Sequence, residues 1–457
     1  MNLILLLALL VGTQIGLSDG LILPTLVAEH GQGSFLAVYT LLKLLFILPV
    51  LQAELVAGRL YRVTPFEFSF FILNKTWARV FFSILLTAVI LVMAINLFNT
   101  SWALMFGIDG LQGELLSLKP LDQNLYWFAQ SQDISRIMIF VVAQGILLIM
   151  LGGLAWRAIA AIFLTVVPMV ALFIVLSLPN IGRMLYSMEW PPLAWDDLLV
   201  AMQHALTSSM AGLLIWYVVG TNLSDRLPTG RVIIAVQSFD VLYGMAMLAI
   251  SWQWISAYGI VNLDVGTLLR ALTASLADTV QLPFPVAVWL FFTALVGIVS
   301  SLPLLLLVTQ ERHNSGQQWL LIGTVALVMA LSGVLVYSHD PDSPLIWYGK
   351  PVYDYVQQLS QGLIIPFITA AIALWVGWVV WPNRVLQQVN PHGGVRYFLW
   401  RLVLKFVVPL VLGLVFVRAA ASLIAVDLYQ VLVFLCAFLL IFRLYSWVKQ
   451  RALFPKI

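Results

Sequence analysis

Gly12-Thr13-Gln14-Ile15-Gly16-Leu17-Ser18-Asp19-Gly20-Leu21-Ile22-Leu23-Pro24 interrupts an otherwise apolar N-terminal run, and its reading decides the fold. Glycine costs a helix interior about 1 kcal/mol relative to alanine. In lipid, every backbone group released from a helix must find a partner inside the protein. A segment of this kind is expected either to unwind beside a buried cavity or to let two helices pack closely through its glycines. If it unwinds, amides at the start of its outer half face an anion and carbonyls at the end of its inner half face a cation.

The surroundings point to lipid. Of 457 residues, 62% are hydrophobic and 9% charged, against about 25% charged in a soluble domain, and mean hydropathy is +1.00. Runs such as Val80 to Met93 and Leu410 to Val417 leave no residues for a polar exterior. The net charge of +3 comes from dispersed basic residues, so no phosphate-neutralising stripe and no nucleic-acid partner is expected. The single cysteine, Cys436, lies in an apolar run, which excludes a disulfide framework or cysteine metal site. Met1 to Val11 lacks a basic n-region and a cleavage site, so it is expected to stay as part of a first span.

A bilayer core takes about 20 apolar residues per helix. The chain offers about twelve such segments, near 3–27, 33–60, 79–108, 135–153, 156–178, 199–223, 232–256, 286–309, 317–338, 358–381, 397–420 and 428–448. No low-complexity linker divides them, so one transmembrane domain is expected. Arg59, Arg62, Lys75, Arg79, Arg157, Arg231 and Arg396 fall in loops on one side and Asp109, Glu114, Glu189, Asp196 and Asp197 on the other. The basic side is expected to be cytoplasmic, with both termini there.

The opening block continues through Glu29-His30-Gly31-Gln32-Gly33-Ser34-Phe35, Tyr39, Pro49 to Glu54 and Gly58-Arg59. In this form it resembles the first two helices of the neurotransmitter:sodium symporters. Ser101-Trp102, Gln203 with Thr207 and Ser209, Gly297 with Ser300-Ser301, and Pro409 add matches along the chain. The resemblance implies the LeuT-type fold, an all-α polytopic membrane protein. Spans one to five (1–178) and six to ten (199–382) would be inverted repeats with broken spans one and six, followed by two helices in 397–457. It further implies symport of an amino acid or related small zwitterion by alternating access, in a bacterial inner membrane. The coupling ion would be sodium or a proton, with no other cofactor, and the protein a monomer or homodimer.

The same resemblance implies a substrate site of Thr13, Gln14, Gly16, Leu17, Ser18, Asn96, Leu206, Thr207, Ser209, Ser300 and Leu304. Gly16 stands where amine transporters carry an acid, so a solute carboxylate is expected on the amides of Leu17 and Ser18. A first cation site would take the Gln14 carbonyl, Asp19, Thr207 and either Val236 or Gln237; a second would take the carbonyls of Gly12, Ile15 and Val296 with Ser300, and Val299 at the place of a further ligand. Val299 replaces a hydroxyl ligand, a loss of roughly 1–3 kcal/mol for sodium. Asp240, with Tyr39, Gln203 and Thr207 around it, implies independence from chloride.

The residues carry a further reading of their own. A charge at mid-bilayer costs about 2.5–3.5 kcal/mol and calls for a partner. Lys43 lies four residues after Tyr39, on the same helical face; because the resemblance sets Tyr39 beside Asp240, Lys43 is expected to pair with Asp240. Glu54 is expected to hold the cytoplasmic side of the bundle through hydrogen bonds, and Asp19 has the alternative of capping the outer half-helix. Ile22 occupies the place of the family's gate arginine, so no ion-pair gate is expected at the outer end. At the inner end His313 and Asn314 replace an acid, and only two residues precede the first span. These changes keep open a second class, a sensor or accessory subunit that binds without transporting. A third, an intramembrane enzyme using His204, Ser208 or Ser209, lacks a supporting His/Asp/Ser spacing, and no HExxH motif is present.

Overall fold

The computed structural model describes residues 3–72, 75–112, 133–152, 156–224, 229–258, 283–309, 315–338, 343–347, 350–380 and 394–424, with a few isolated residues between. The expected twelfth span at 428–448, Cys436, His313 and Asn314 lie outside the described residues.

The first apolar run is broken. Helix α1 (Leu3–Gln14) stops before Ile15 and Gly16, and the chain resumes as a π-type turn over Ser18–Ile22 that passes into α2 (Leu23–Glu29). The two halves bend by 42°. A tight turn with Gly31 at φ +100° leads into α3 (Gln32–Leu41), and a second π-type turn over Leu42–Ile47 joins it to α4 (Leu48–Tyr61). Next come α5 (Pro65–Ile72), α6 (Lys75–Gln112), α7 (Ile134–Gly152) and α8 (Trp156–Ser187). Helix α8 continues through Pro168 and Pro179 beyond the expected end at 178. A membrane helix tolerates proline where neighbouring groups satisfy the freed carbonyls.

The sixth run is also broken: α9 (Trp195–Ser208) and α10 (Ile215–Thr221) flank an unwound stretch. Within it Met210, Gly212 and Leu214 have φ of 51°, 77° and 58°. A left-handed conformation at a non-glycine residue costs about 1–3 kcal/mol and persists only where the surroundings impose it. The chain continues as α11 (Thr229–Tyr258), α12 (Pro283–Thr309) and α13 (Ser315–Tyr337). A two-residue antiparallel ladder, β1 (Ile346–Trp347) on β2 (Lys350–Pro351), precedes α14 (Val352–Gln357). The π-type turn Gln358–Ile364 connects α14 to α15 (Ile365–Leu374), so this span starts six residues before the expected 358. Finally α16 (Val395–Leu402) runs through a turn at Val403–Val407 into α17 (Val408–Ile424).

Helix α6 forms the spine, packed on α12 and α13, while α1 packs on α8 and α4 on α10. Contacts occur in pairs that exchange when spans one to five are matched with six to ten: α4 on α10 with α11 on α2, and α6 on α7 with α12 on α13. The α4–α10 contact is close because both helices lack a side chain there. A Cβ on Gly58 would lie 1.9 Å from the Tyr217 carbonyl oxygen, and one on Gly220 would lie 2.2 Å from that of Leu55. The outer surface is apolar: Leu172, Leu176 and Val417 are each at least 60% exposed. An apolar belt of this extent belongs in lipid.

Candidate functional site

The two breaks face one another and are tied by side-chain amides. Gln14, the last residue of α1, donates from Nε2 to the Ser209 carbonyl at 2.8 Å, and Trp216 Nε1 reaches the same oxygen at 3.2 Å. Gln237 of α11 donates to Gln14 Oε1 at 2.8 Å and accepts from the Ser209 hydroxyl at 3.3 Å. Of the two candidates on α11, Gln237 therefore joins this network, while Val236 packs in the apolar core. The second break is held from α4, where Glu54 Oε1 accepts the Gly212 N–H at 2.6 Å. Gly212 has no room for a side chain, since a Cβ would come 2.2 Å from Thr369 Oγ1. At the first break the glycines divide their roles. Gly12 is covered by the Phe163 ring and Gly20 by Met247, whereas a Cβ on Gly16 would meet only nearby backbone at 3.7 Å.

Beside these breaks lies a buried charge cluster. Lys43 Nζ is 2.5 Å from Asp240 Oδ2 and 3.3 Å from Asp19 Oδ2, and it donates to Tyr39 Oη at 2.7 Å. Tyr39 donates in turn to Asp19 Oδ1 at 2.7 Å, with Ser208 Oγ 3.1 Å from the phenol oxygen. None of Asp19, Lys43 and Asp240 is more than 1% exposed. Three oxygens thus surround an ammonium that has three N–H groups to give. The expected pair of Lys43 with Asp240 is a triad, with Asp19 of the broken span as its third member. His204 leans on the Tyr39 ring, centroids 5.2 Å apart, with Nε2 3.8 Å from Asp19 Oδ1.

The other expected site residues have these partners. Gln203 does not join Asp240; it turns to Gln358 at 3.4 Å. The Thr207 hydroxyl donates back to the Gln203 and His204 carbonyls, and that of Thr13 to Leu10. Asn96 accepts from Thr100 through its backbone, while its neighbour Asn99 donates to Tyr353 at 3.2 Å. Leu206 and Leu304 are fully buried core residues. At the expected second cation site Ser300 donates to the Gly297 carbonyl of its own helix, and Val296 and Val299 pack in the core. Leu17 lies against Gly297, which brings α12 up to the first break; Ile15 is buried beside it. The outer half-helix starts at Ser18, and Leu17, the residue capping it, offers no side-chain acceptor. Asp19 is directed at Lys43 and Tyr39 and does not cap it.

A cleft of about 340 Å³ opens at the end of the bundle that carries the acidic loops. Ile22, Gln203, His204, Gln358 and Arg418 line it, so it reaches the charge cluster at His204; none of the expected substrate residues is on its wall. Ile22 stands on the cleft wall at the gate arginine's position, and ion pairs from other positions lie at this end. Arg418 of α17 holds both Asp196 oxygens, with Nη2 to Oδ2 at 2.8 Å, and His30 Nδ1 lies 2.8 Å from Asp197. The hydrogen bond from Arg418 keeps the Asp196 carboxyl below its ordinary range, opposed in part by burial. Sequence reasoning missed these partners because His30 and Arg418 lie 167 and 222 residues from them. Among the described residues no group of three His, Cys, Asp or Glu side chains could hold a metal ion.

No protein-family model matches the chain, and no curated protein matches it in sequence. Solved structures do. The crystal structure of MhsT in complex with L-phenylalanine superposes with a TM-score of 0.79, covering 92% of this chain and 98% of that one at 18% identity. The likeness shows the fold, which is of the LeuT type.

Proposed function

We propose that this chain is a secondary active transporter of an amino acid or related small zwitterion, working by alternating access with a sodium or proton gradient and without chloride. The observation that carries the reading is the meeting of two unwound spans beside buried Asp19. There the amides of Leu17 and Ser18 head the outer half-helix and suit a carboxylate. The fold is shared with a structure that holds L-phenylalanine, and buried ionisable groups in a membrane bundle mark solute or ion pathways. The cleft down to His204 is the outer approach, the Arg418 and Asp196 pair stands at its rim, and both termini are cytoplasmic in a bacterial inner membrane.

Counterflow in proteoliposomes tests this. Vesicles preloaded with unlabelled amino acids should accumulate the labelled solute, and mutating Gly16 to Leu should abolish the exchange by filling the break. The bonds of Gln14 and Gln237 across the centre favour one other reading, a receptor that binds without cycling. Saturable binding with no exchange would select it.

A further inference from the structure

The first cation site implied by the resemblance does not suit a sodium ion. A hard cation needs several oxygens turned on one point. Here Asp19 Oδ1 accepts from Tyr39, and Oδ2 faces Lys43. The side-chain amides of Gln14 and Gln237 bond to each other and to Ser209. A positive charge is nevertheless present, because the Lys43 ammonium lies within 3.3 Å of Asp19 and 2.5 Å of Asp240.

We infer that Lys43 is the resident cation of this site: its tethered ammonium, shared by Asp19 of the first span and Asp240 of α11, replaces a mobile sodium ion. The inference deepens the transport reading and rests on it for what the site serves. A mobile ion changes the charge of a buried site each time it leaves, whereas a covalently held ammonium keeps one positive charge beside the two carboxylates throughout. The two roles that the resemblance assigns separately, a cation site on span one and a charge-balancing acid on span seven, meet here on one ammonium. Any sodium that drives the cycle binds elsewhere.

Binding of radioactive sodium to the purified full-length protein in detergent, with no solute added, tests the inference. Lys43→Met is expected to bind one sodium ion per chain more than the wild type, and Asp19→Asn in the same chain to remove that gain. A folded Lys43→Met protein that binds only the wild-type amount overturns it. An experimental structure of the wild type in high sodium decides without any variant. An ammonium held between the two carboxylates supports the assignment, and a sodium ion on Asp19 with Lys43 turned away sinks it. Failure of the transport reading would appear in counterflow and leave both measurements unchanged.

Discussion

Lys43 concentrates the energetics of single residues. Removing one partner of a buried ion pair costs about 3–5 kcal/mol, because the other charge is left desolvated. Lys43→Met leaves two such charges, Asp19 and Asp240, so its thermal midpoint in detergent should fall by more than that of any single carboxylate variant. Asp240→Asn in the same chain should recover part of the loss. The rim pair behaves differently. Asp196 titrates lower in the folded protein than unfolded, so its contribution is present above the ordinary aspartate range and disappears as pH falls through the folded value. An acid titration of stability should therefore be steeper in the wild type than in Arg418→Gln. The difference should be under about 1 kcal/mol, as expected of a solvent-exposed pair.

At the scale of the element, the breaks are held in place from outside. Glu54 reaches across from α4 to satisfy the Gly212 N–H. Glu54→Ala would leave that amide buried and unpaired, a cost of about 1–3 kcal/mol. Glu54→Gln keeps an acceptor oxygen there, so denaturation midpoints should rank wild type and Gln close together and Ala well below. Helices α4 and α10 meet through backbone, since a Cβ on Gly58 would overlap the Tyr217 carbonyl. Gly58→Ala forces the pair apart, an overpacking cost of about 1–3 kcal/mol or more. Size-exclusion chromatography should show a reduced monodisperse fraction. Tyr217 also donates to the Val63 carbonyl at 3.1 Å, which ties α10 to the loop after α4.

For the whole molecule, the proposed activity requires a ligand that stabilises the fold by mass action. A solute at about a hundred times its Kd adds about 2.7 kcal/mol. A thermal-shift screen of amino acids and amines, with and without sodium, should identify a stabilising zwitterion, and uncharged analogues lacking its carboxylate should fail. The bundle that would bind it is assembled like a repeat, with exchangeable contacts around α6 and α12. Its lipid-facing helices α7 and α17 are the least buried of the candidate spans.

Composition and spacing determined a good deal alone. Lipid is the only solvent for 62% hydrophobic residues, which follows from composition; the crowding of Gly12, Gly16, Ser18 and Gly20 within an apolar run left an unwound span and close helix packing both open, and the resemblance implied the break. The helical face shared by Tyr39 and Lys43 directed the lysine toward α11 once the resemblance had set Tyr39 beside Asp240. Tertiary structure alone decided what those residues touch. It chose Gln237 over Val236, turned Gln203 toward the cleft, added Asp19 to the lysine's partners and joined Arg418 to Asp196. A π-type turn shifts the register of a helix face, and contacts across a hundred residues or more leave no periodicity in the chain. Such partners are set by how the helices pack, which no window of sequence contains.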